Sequence, residues 1–296
     1  MSAVRDCLAG RISPEVAIAR LLLGGATAAG IVDALGECRN GDERWAAMRR
    51  LATMRAADLN RLAAEVRETA ANHSAAGDTP DAGLARIAAF FDRAVAHSPE
   101  ASVALYSLGD PAILAAATAE IVDWLHNQGL LPRDADVLDL GCGIGRMAGA
   151  LAPRCRSIHG LDVSAGMVAE ARRRHDNVAN VRFEVTSGHG LDLPPMSLDL
   201  VLAVDSFPYI VQAGPDIAAR HVCDAAAALR PGGALVVLNL SYRGDPALDR
   251  ADAAGWAAMA GLELQDHGTP FQVWDGTAFI LQRPLASPSP AGRGSG

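Results

Sequence analysis

Apolar residues recur at helical spacing over roughly the first seventy positions. Ser13 followed by Pro14 is typical of a helix start, and Gly24-Gly25 predicts where that helix ends. A second short helix is predicted over 27–38 and a longer one over 42–71. The longer helix has one apolar stripe, formed by Trp45, Met48, Leu51, Met54, Leu59, Leu62 and Val66. This stripe must be buried, and a dimer interface is one way to bury it.

The pattern changes after a stretch rich in Gly, Pro, Ser and Asp. Two further helices, over 84–97 and 111–128, lead into short β-rich runs that alternate with helical segments, which predicts parallel βαβ units. The predicted strands are 136–140, 157–163, 181–187, 198–205 and 234–240, with helices near 146–153, 165–175, 215–229 and 245–260. The last two runs, 262–268 and 277–283, are predicted to pair as an antiparallel hairpin at the sheet edge.

These patterns divide the chain into four parts. We predict an all-α N-terminal domain over 1–73, a linker over 74–83, an α/β domain over 84–284 and a disordered tail over 285–296. The α/β domain is expected to be a Rossmann-like, doubly wound, mostly parallel seven-stranded sheet with an antiparallel edge hairpin. The Pro231-Gly232-Gly233 segment is interpreted as a turn into the fifth strand.

Composition excludes several kinds of chemistry. All 26 basic residues are arginine, so a Schiff-base lysine, a P-loop lysine and a kinase lysine are absent. The net charge of −8 disfavours nucleic acid as a partner. Five scattered cysteines have no spacing suited to a metal, and charged residues near the N-terminus disfavour a signal peptide. We therefore expect a cytoplasmic protein with no metal site and no membrane partner.

The most informative segment is VLDLGCGIGR, residues 137–146. A buried strand delivers Asp139 to a turn that contains Gly141, Gly143 and Gly145. The glycines follow GxGxG, whereas the dinucleotide fingerprint GxGxxG would need a glycine at Arg146. A carboxylate just before the turn opposes a phosphate and favours a cationic group. The sequence therefore predicts a ligand with an ammonium group near this turn.

Four segments in this order resemble the class I S-adenosylmethionine-dependent methyltransferases over about 84–284. VLDLGCGIGR is similar to their first motif, and IHGLDVSAGMVAEAR (158–172) is similar to their second. SLDLVLAVDSF (197–207) and LRPGGALVVLNL (229–240) are similar to the fourth-strand segment and to the turn and strand that follow it. The resemblance implies S-adenosylmethionine as the cofactor.

The resemblance also implies a set of cofactor contacts. Asp139 and the glycine loop would hold the methionine end, Asp162 the ribose hydroxyls, and Val163 and Met167 the adenine face. The full predicted set is Asp139, Gly141, Cys142, Gly143, Gly145, Asp162, Val163, Met167, His189, Gly190, Asp205 and Tyr106. Cys142 also fits a small filler within the loop, and Tyr106 is assigned a cation–π contact with the sulfonium.

One segment departs from the family pattern. Where the family commonly has Gly-Asp-Ala at the end of the third strand, this chain has Gly188-His189-Gly190. The family's Asp reaches the adenine amino group. His189 is one candidate replacement, because a neutral imidazole nitrogen accepts a hydrogen bond, and Asp192 is the other.

Methyl transfer from a sulfonium is an in-line displacement, so positioning supplies much of the rate. The acceptor is expected over the loops after strands four and five and beside the edge hairpin. The predicted substrate residues are Ser206, Phe207, Tyr209, Asn239, Tyr242, Arg243 and Trp274. The predicted catalytic residues are His267, Tyr209 and Tyr242, with His267 either a general base or only the end of a strand.

Three functions follow from these observations. The first is methyl transfer to a small-molecule acceptor, with O-, N-, C- and S-methylation all open. The second is methylation of a protein side chain. The third is a non-catalytic module that senses the cofactor or assembles through its N-terminal helices. Those helices have three candidate roles, namely homodimerisation, covering the active site and binding a protein partner.

Overall fold

The computed structural model describes residues 2–36, 42–57, 59–60, 79–104 and 107–285 of the 296-residue chain. The chain begins with helices. These are α1 (Ser2–Leu8), α2 (Pro14–Leu23), α3 (Ala28–Leu35), α4 (Glu43–Met54), α5 (Pro80–His97), α6 (Pro99–Val103) and α7 (Pro111–Asn127).

Strands and helices alternate from Ala135 onward. The elements are β1 (Ala135–Leu140), α8 (Arg146–Leu151), β2 (Cys155–Asp162), α9 (Ala165–Arg174), β3 (Val181–Val185), β4 (Leu198–Val204), α10 (Phe207–Ala213), α11 (Pro215–Ala228), β5 (Leu229–Leu238), α12 (Pro246–Ala260), β6 (Glu263–Gly268) and β7 (Ala278–Gln282).

The strands form one seven-stranded sheet in the order β3-β2-β1-β4-β5-β7-β6. β1 to β5 pair in parallel, whereas β7 is antiparallel to both β5 and β6. The predicted doubly wound sheet with its antiparallel edge hairpin is thus confirmed. The chain leaves β1 toward β2 on one side and later returns to β4 on the other, so a crevice opens at the carboxyl ends of β1 and β4.

Helices cover both faces of the central strands. Leu138, Val201 and Leu235 are fully buried on one face. Leu200 and Val236 are fully buried on the other. Such two-sided burial explains why these strands are nearly continuous apolar runs.

The N-terminal helices begin and end where their capping residues predict. Ser13 Oγ accepts a hydrogen bond from the Val16 N–H at 3.2 Å, and Gly24 is the C-cap of α2. Asp42 caps α4 in the same way. Helix α4 covers the first part of the predicted 42–71 helix, and 61–71 lie outside the described residues.

The apolar stripe of that predicted helix is buried within the chain over its described part. Met48 and Leu59 are fully buried in the cluster that also contains Val137 of β1. Met54 is instead exposed. The N-terminal helices therefore share a hydrophobic core with the sheet, which accounts for the burial of Met48 and Leu59.

Three local expectations differ from the structure. Helix α5 starts at Pro80, so 80–83 of the predicted linker are helical. β5 starts at Leu229, and the predicted turn at Pro231 to Gly233 lies inside it, where a shift in register occurs opposite Leu198 to Leu200. The loop expected after β4 forms helix α10. Pro208 at its start explains this helix, because proline is favoured in a first helical turn.

Within the described residues, no single helix has the length and apolar character needed to cross a bilayer. Helices α2 and α3 meet that test only when joined, and they are bent by 120° relative to each other.

Candidate functional site

The loop after β1 needs its glycines for two physical reasons. Gly141, Gly143 and Gly145 have φ values of 72°, 52° and 79°, in the left-handed region that side chains disfavour. A Cβ on Gly143 would also lie 2.7 Å from Val103 Cγ1, and one on Gly145 would lie 2.8 Å from Phe183 Cζ. The loop is therefore packed tightly between neighbouring elements as well as sharply turned.

Asp139 ends β1 as a buried carboxylate, with 2% of the residue exposed. Its Oδ2 accepts a hydrogen bond from the Ala148 N–H at 3.2 Å, and no described group donates to Oδ1. Burial raises the pKa of Asp139 to about 7, although the positive charge of Arg146 opposes the rise. This carboxyl group therefore has an acceptor atom left for a ligand.

Asp162 ends the neighbouring strand β2. Its Oδ2 accepts from the Gly143 N–H and its Oδ1 from the Ser164 N–H, both at 2.9 Å. Burial raises its pKa above the ordinary value, and these backbone donors oppose the rise. Asp162 thus fastens the glycine loop to the start of α9, where Ser164 is the N-cap. A carboxylate oxygen can accept more than one hydrogen bond, so Asp162 can still accept from a ligand.

A third buried carboxylate, Asp205, follows β4. Its oxygens accept from Asn239 Nδ2 at 2.7 Å and from Trp274 Nε1 at 2.9 Å. Arg146 Nη2 lies 3.6 Å from Oδ2. Burial raises the pKa of Asp205 above its ordinary value, and Arg146 opposes the rise. Asp139, Asp162 and Asp205 make this end of the sheet strongly acidic, which suits a cationic ligand.

These groups border a cavity of about 1180 Å³. At one end it is lined by Asp139, Gly141, Cys142, Gly143, Asp162, Val163 and Met167. We call the rest of the cavity the acceptor compartment, and its lining includes Arg20, Leu23, Phe90, Phe91, Tyr209, Asn239, Ser241, Tyr242, Thr269 and Asp275. This volume exceeds that of a typical single-ligand pocket, so two ligands fit side by side.

The structure brings most of the predicted cofactor residues to the cavity, and Asp205 lines it as well. Gly145, His189 and Gly190 do not line it, and Tyr106 lies outside the described residues. Gly145 faces His175 and Phe183, while Gly190 abuts Asp224 and Arg220.

His189 lies at the surface. Its Nε2 is 3.0 Å from Asp81 at the start of α5, and 43% of its side chain is exposed. Thr186 and Gly188 line the cavity instead. The turn after β3 therefore presents different residues from those that the family pattern implies.

The predicted substrate residues divide into two groups. Ser206, Tyr209, Asn239 and Tyr242 line the cavity. Phe207 and Trp274 are buried core residues, and Arg243 forms ion pairs with Asp249 and Asp252. Trp274 still contributes indirectly, because its indole N–H holds Asp205.

The candidate base His267 does not line the cavity. Its ring lies edge-on to Trp124 of α7, with 5.7 Å between centroids. Tyr209 does line it, and burial raises the pKa of its phenol well above the usual range. Tyr209 therefore remains protonated at neutral pH and serves as a hydrogen-bond donor rather than as a base.

Several cavity residues were absent from the sequence prediction. Arg20 borders the acceptor compartment from α2, far from the motif region in the chain. Leu23 and Val103, on α2 and α6, line the cavity as well. In the sequence, Arg146 only interrupts the glycine pattern. Its positive charge is the signal that could have indicated a position beside the carboxylates.

Comparison with known proteins supports the fold and its family. Residues 137–233 match the family model described as "Methyltransferase domain". Demethylmenaquinone methyltransferase of Tropheryma whipplei is 34% identical over 107 residues, covering 36% of this chain and 42% of that protein. The 2-methyl-6-phytyl-1,4-hydroquinone methyltransferase of Synechocystis is 30% identical over 144 residues, covering 46% of this chain and 44% of that protein. The chain thus spans less than half the length of these curated relatives.

A solved structure agrees with the architecture. Magnesium protoporphyrin IX methyltransferase from Synechocystis, with S-adenosylmethionine bound, superposes with a TM-score of 0.53. It is 18% identical, and the match covers 71% of this chain and 99% of that one. At this identity the likeness concerns the fold.

Proposed function

We propose that this chain, which belongs to the class I S-adenosylmethionine-dependent methyltransferases, transfers a methyl group from S-adenosylmethionine to a small-molecule acceptor. The observation that carries the proposal is the pair of buried carboxylates Asp139 and Asp162, one on each side of the glycine loop. They end adjacent parallel strands and line the same cavity.

The chemistry of these groups fits the cofactor. Asp139 has an oxygen without a described donor, suited to the ammonium of the methionine end. Asp162 lies where a carboxylate can accept from both hydroxyls of a ribose, and Val163 and Met167 supply apolar surface for the adenine. S-adenosylmethionine carries its methyl group on a positively charged sulfur. The nearby carboxylates stabilise that positive charge.

The role of the protein in the reaction is chiefly positioning. The acceptor atom must lie in line with the bond that breaks, and such alignment is worth up to roughly 7–11 kcal/mol. Asn239 and Tyr209 offer hydrogen-bonding groups at the acceptor compartment. Asp205 lies beside them with a raised pKa, so it is the candidate to receive a proton from a hydroxyl or ammonium acceptor.

A small acceptor is favoured over a protein side chain because several elements surround the compartment. Helix α2 contributes Leu23, α5 contributes Phe91, and the segment between β6 and β7 contributes Asp275. Both curated relatives described above are named for small-molecule acceptors, which supports the same choice. The net charge of −8 disfavours RNA.

The cofactor site is tested by titrating S-adenosylhomocysteine into the protein in a calorimeter. We expect the wild type to bind S-adenosylhomocysteine with micromolar affinity and Asp139→Asn to bind it about ten- to a hundredfold more weakly. NAD should not stabilise the wild type. The matched control is Asp136→Asn, at the opposite end of β1, where the carboxylate pairs with Arg156 and Arg230. Failure of the wild type to bind would refute the proposal, as would equal losses in the two variants.

A further inference from the structure

We propose that the acceptor is an aromatic ring carrying a hydroxyl or amino group, and that the acceptor compartment binds the ring through a row of four aromatic side chains. This inference rests on the proposed methyl transfer and names its substrate class. The row consists of Phe90, Phe91, Tyr209 and Tyr242, all of which line the cavity.

The four rings contact one another edge to face. The centroids of Phe90 and Phe91 are 5.0 Å apart, those of Phe91 and Tyr209 are 4.9 Å apart, and those of Tyr209 and Tyr242 are 5.9 Å apart. The interplanar angles are 69°, 83° and 81°. This is the arrangement that aromatic rings prefer with one another, so another aromatic ring joins the row favourably.

The row is notable because the chain is poor in aromatic residues. It has 6 Phe, 4 Trp and 3 Tyr among 296 residues, and aromatic side chains make up only 4%. Packing of the core does not by itself require four aromatic residues to line one cavity. Tyr242 is 54% exposed while lining that cavity, so its ring lies at the mouth rather than in the core.

Ile210 of α10 follows Tyr209 and lines the same cavity. It adds apolar surface for an alkyl substituent on the bound ring.

The polar end of the compartment determines which substituent the ring carries. Asp205 lies four residues before Tyr209, and both line the cavity, so this carboxylate borders the compartment that holds the rings. Asp275 lines the compartment as well. Arg146 and Arg20 lie beside these two carboxylates and offset part of their charge. A hydroxyl or amine can donate a hydrogen bond to Asp205, whereas an ionised carboxylate has no proton to donate.

The experiment uses three probes built on one fused two-ring framework. In calorimetry with protein saturated by S-adenosylhomocysteine, 1-naphthol should bind at least about tenfold more tightly than decahydro-1-naphthol, which lacks the aromatic ring. The anion 1-naphthoate should also bind at least about tenfold more weakly than 1-naphthol. Comparable binding of either control, or no binding of 1-naphthol, would overturn the proposal.

A pair of variants links the binding to the row. Tyr242→Leu, which removes a ring that is mostly outside the core, should weaken 1-naphthol binding about tenfold, and Tyr242→Phe should restore most of that affinity. An unchanged affinity in Tyr242→Leu refutes the assignment. The affinity for S-adenosylhomocysteine is measured on every sample. If the wild type does not bind S-adenosylhomocysteine, the proposed function itself is refuted. If it binds S-adenosylhomocysteine but not 1-naphthol, only the aromatic acceptor is refuted.

Discussion

Arg20 of α2 and Asp275 of the segment between β6 and β7 lie 255 residues apart in the chain and form a bidentate ion pair. Arg20 Nη2 is 2.6 Å from Oδ1, and Nε is 3.1 Å from both carboxylate oxygens. A backbone hydrogen bond from Ser13 to the Gln272 carbonyl, at 2.8 Å, runs beside the pair. The N-terminal helices are thus fixed to the segment that borders the acceptor compartment.

Replacing Arg20 with methionine should loosen that segment. The pair is partly exposed, so we expect a loss of about 1 kcal/mol in unfolding free energy, and faster amide hydrogen exchange over 272–277. The matched control is Arg50→Met on α4, because Arg50 is exposed. Equal exchange over 272–277 in the two variants would contradict the role of the pair.

Cofactor binding should strengthen as the pH rises from 6 to 8. Burial holds the pKa of Asp139 at about 7, so below that pH the carboxyl group is mostly neutral and must lose its proton before it can pair with an ammonium. We expect S-adenosylhomocysteine to bind about tenfold more weakly at pH 6 than at pH 8. Calorimetry across this range measures the effect. Asp139→Asn should abolish most of it, and an unchanged pH profile in that variant would refute the assignment.

Gly145→Ala should destabilise the protein by about 2–4 kcal/mol, because a Cβ there requires a left-handed backbone and meets His175 and Phe183 at 2.8 Å. Gly255→Ala is the control. Gly255 lies within α12, has no described atom within 4 Å of the new Cβ, and should gain up to about 1 kcal/mol in stability. Urea denaturation measures both changes. Similar midpoints for the two variants would show that the loop does not need this glycine.

Glu120→Gln should disturb Asp205 from a distance. The carboxylate of Glu120, on α7, accepts the backbone N–H groups of Gln272, Val273 and Trp274 at 2.6, 2.9 and 2.8 Å. We expect a loss of about 1–3 kcal/mol in unfolding free energy and a shift of the Trp274 indole N–H resonance, since that group donates to Asp205.

Glu263→Gln is the control for that substitution. Glu263 starts β6 in the same hairpin and has no side-chain hydrogen bond to any described residue. An indole resonance that moves equally in both variants, or in neither, would contradict the proposed link between Glu120 and Asp205.

Sequence patterns predicted those parts of the molecule that depend on neighbours in the chain. The strand before Asp139, the glycine turn and the helix start at Ser13-Pro14 each follow from a few consecutive residues, and the structure contains all three. The start of β5 differed from prediction because pairing with β4 extends the strand through Pro231 and Gly232. Strand pairing of this kind leaves no local signal.

The acceptor compartment was harder to predict because its residues come from distant segments. Asp205 depends on Asn239 and Trp274, and the hairpin that carries Trp274 depends in turn on Glu120. Arg20 has no motif around it that indicates a partner near the other end of the chain. Such contacts appear only when the fold brings α2, α7 and the edge hairpin together.

The way the cavity is assembled also bears on how this chain can diversify. Asp139, Gly141, Gly143 and Asp162 come from one short stretch of the chain, whereas α2 and the edge hairpin, which border the acceptor compartment, lie near its opposite ends. Substitutions in those two elements would alter the acceptor compartment while leaving the glycine loop and its carboxylates unchanged. The two parts of the cavity are therefore free to vary on separate parts of the sequence.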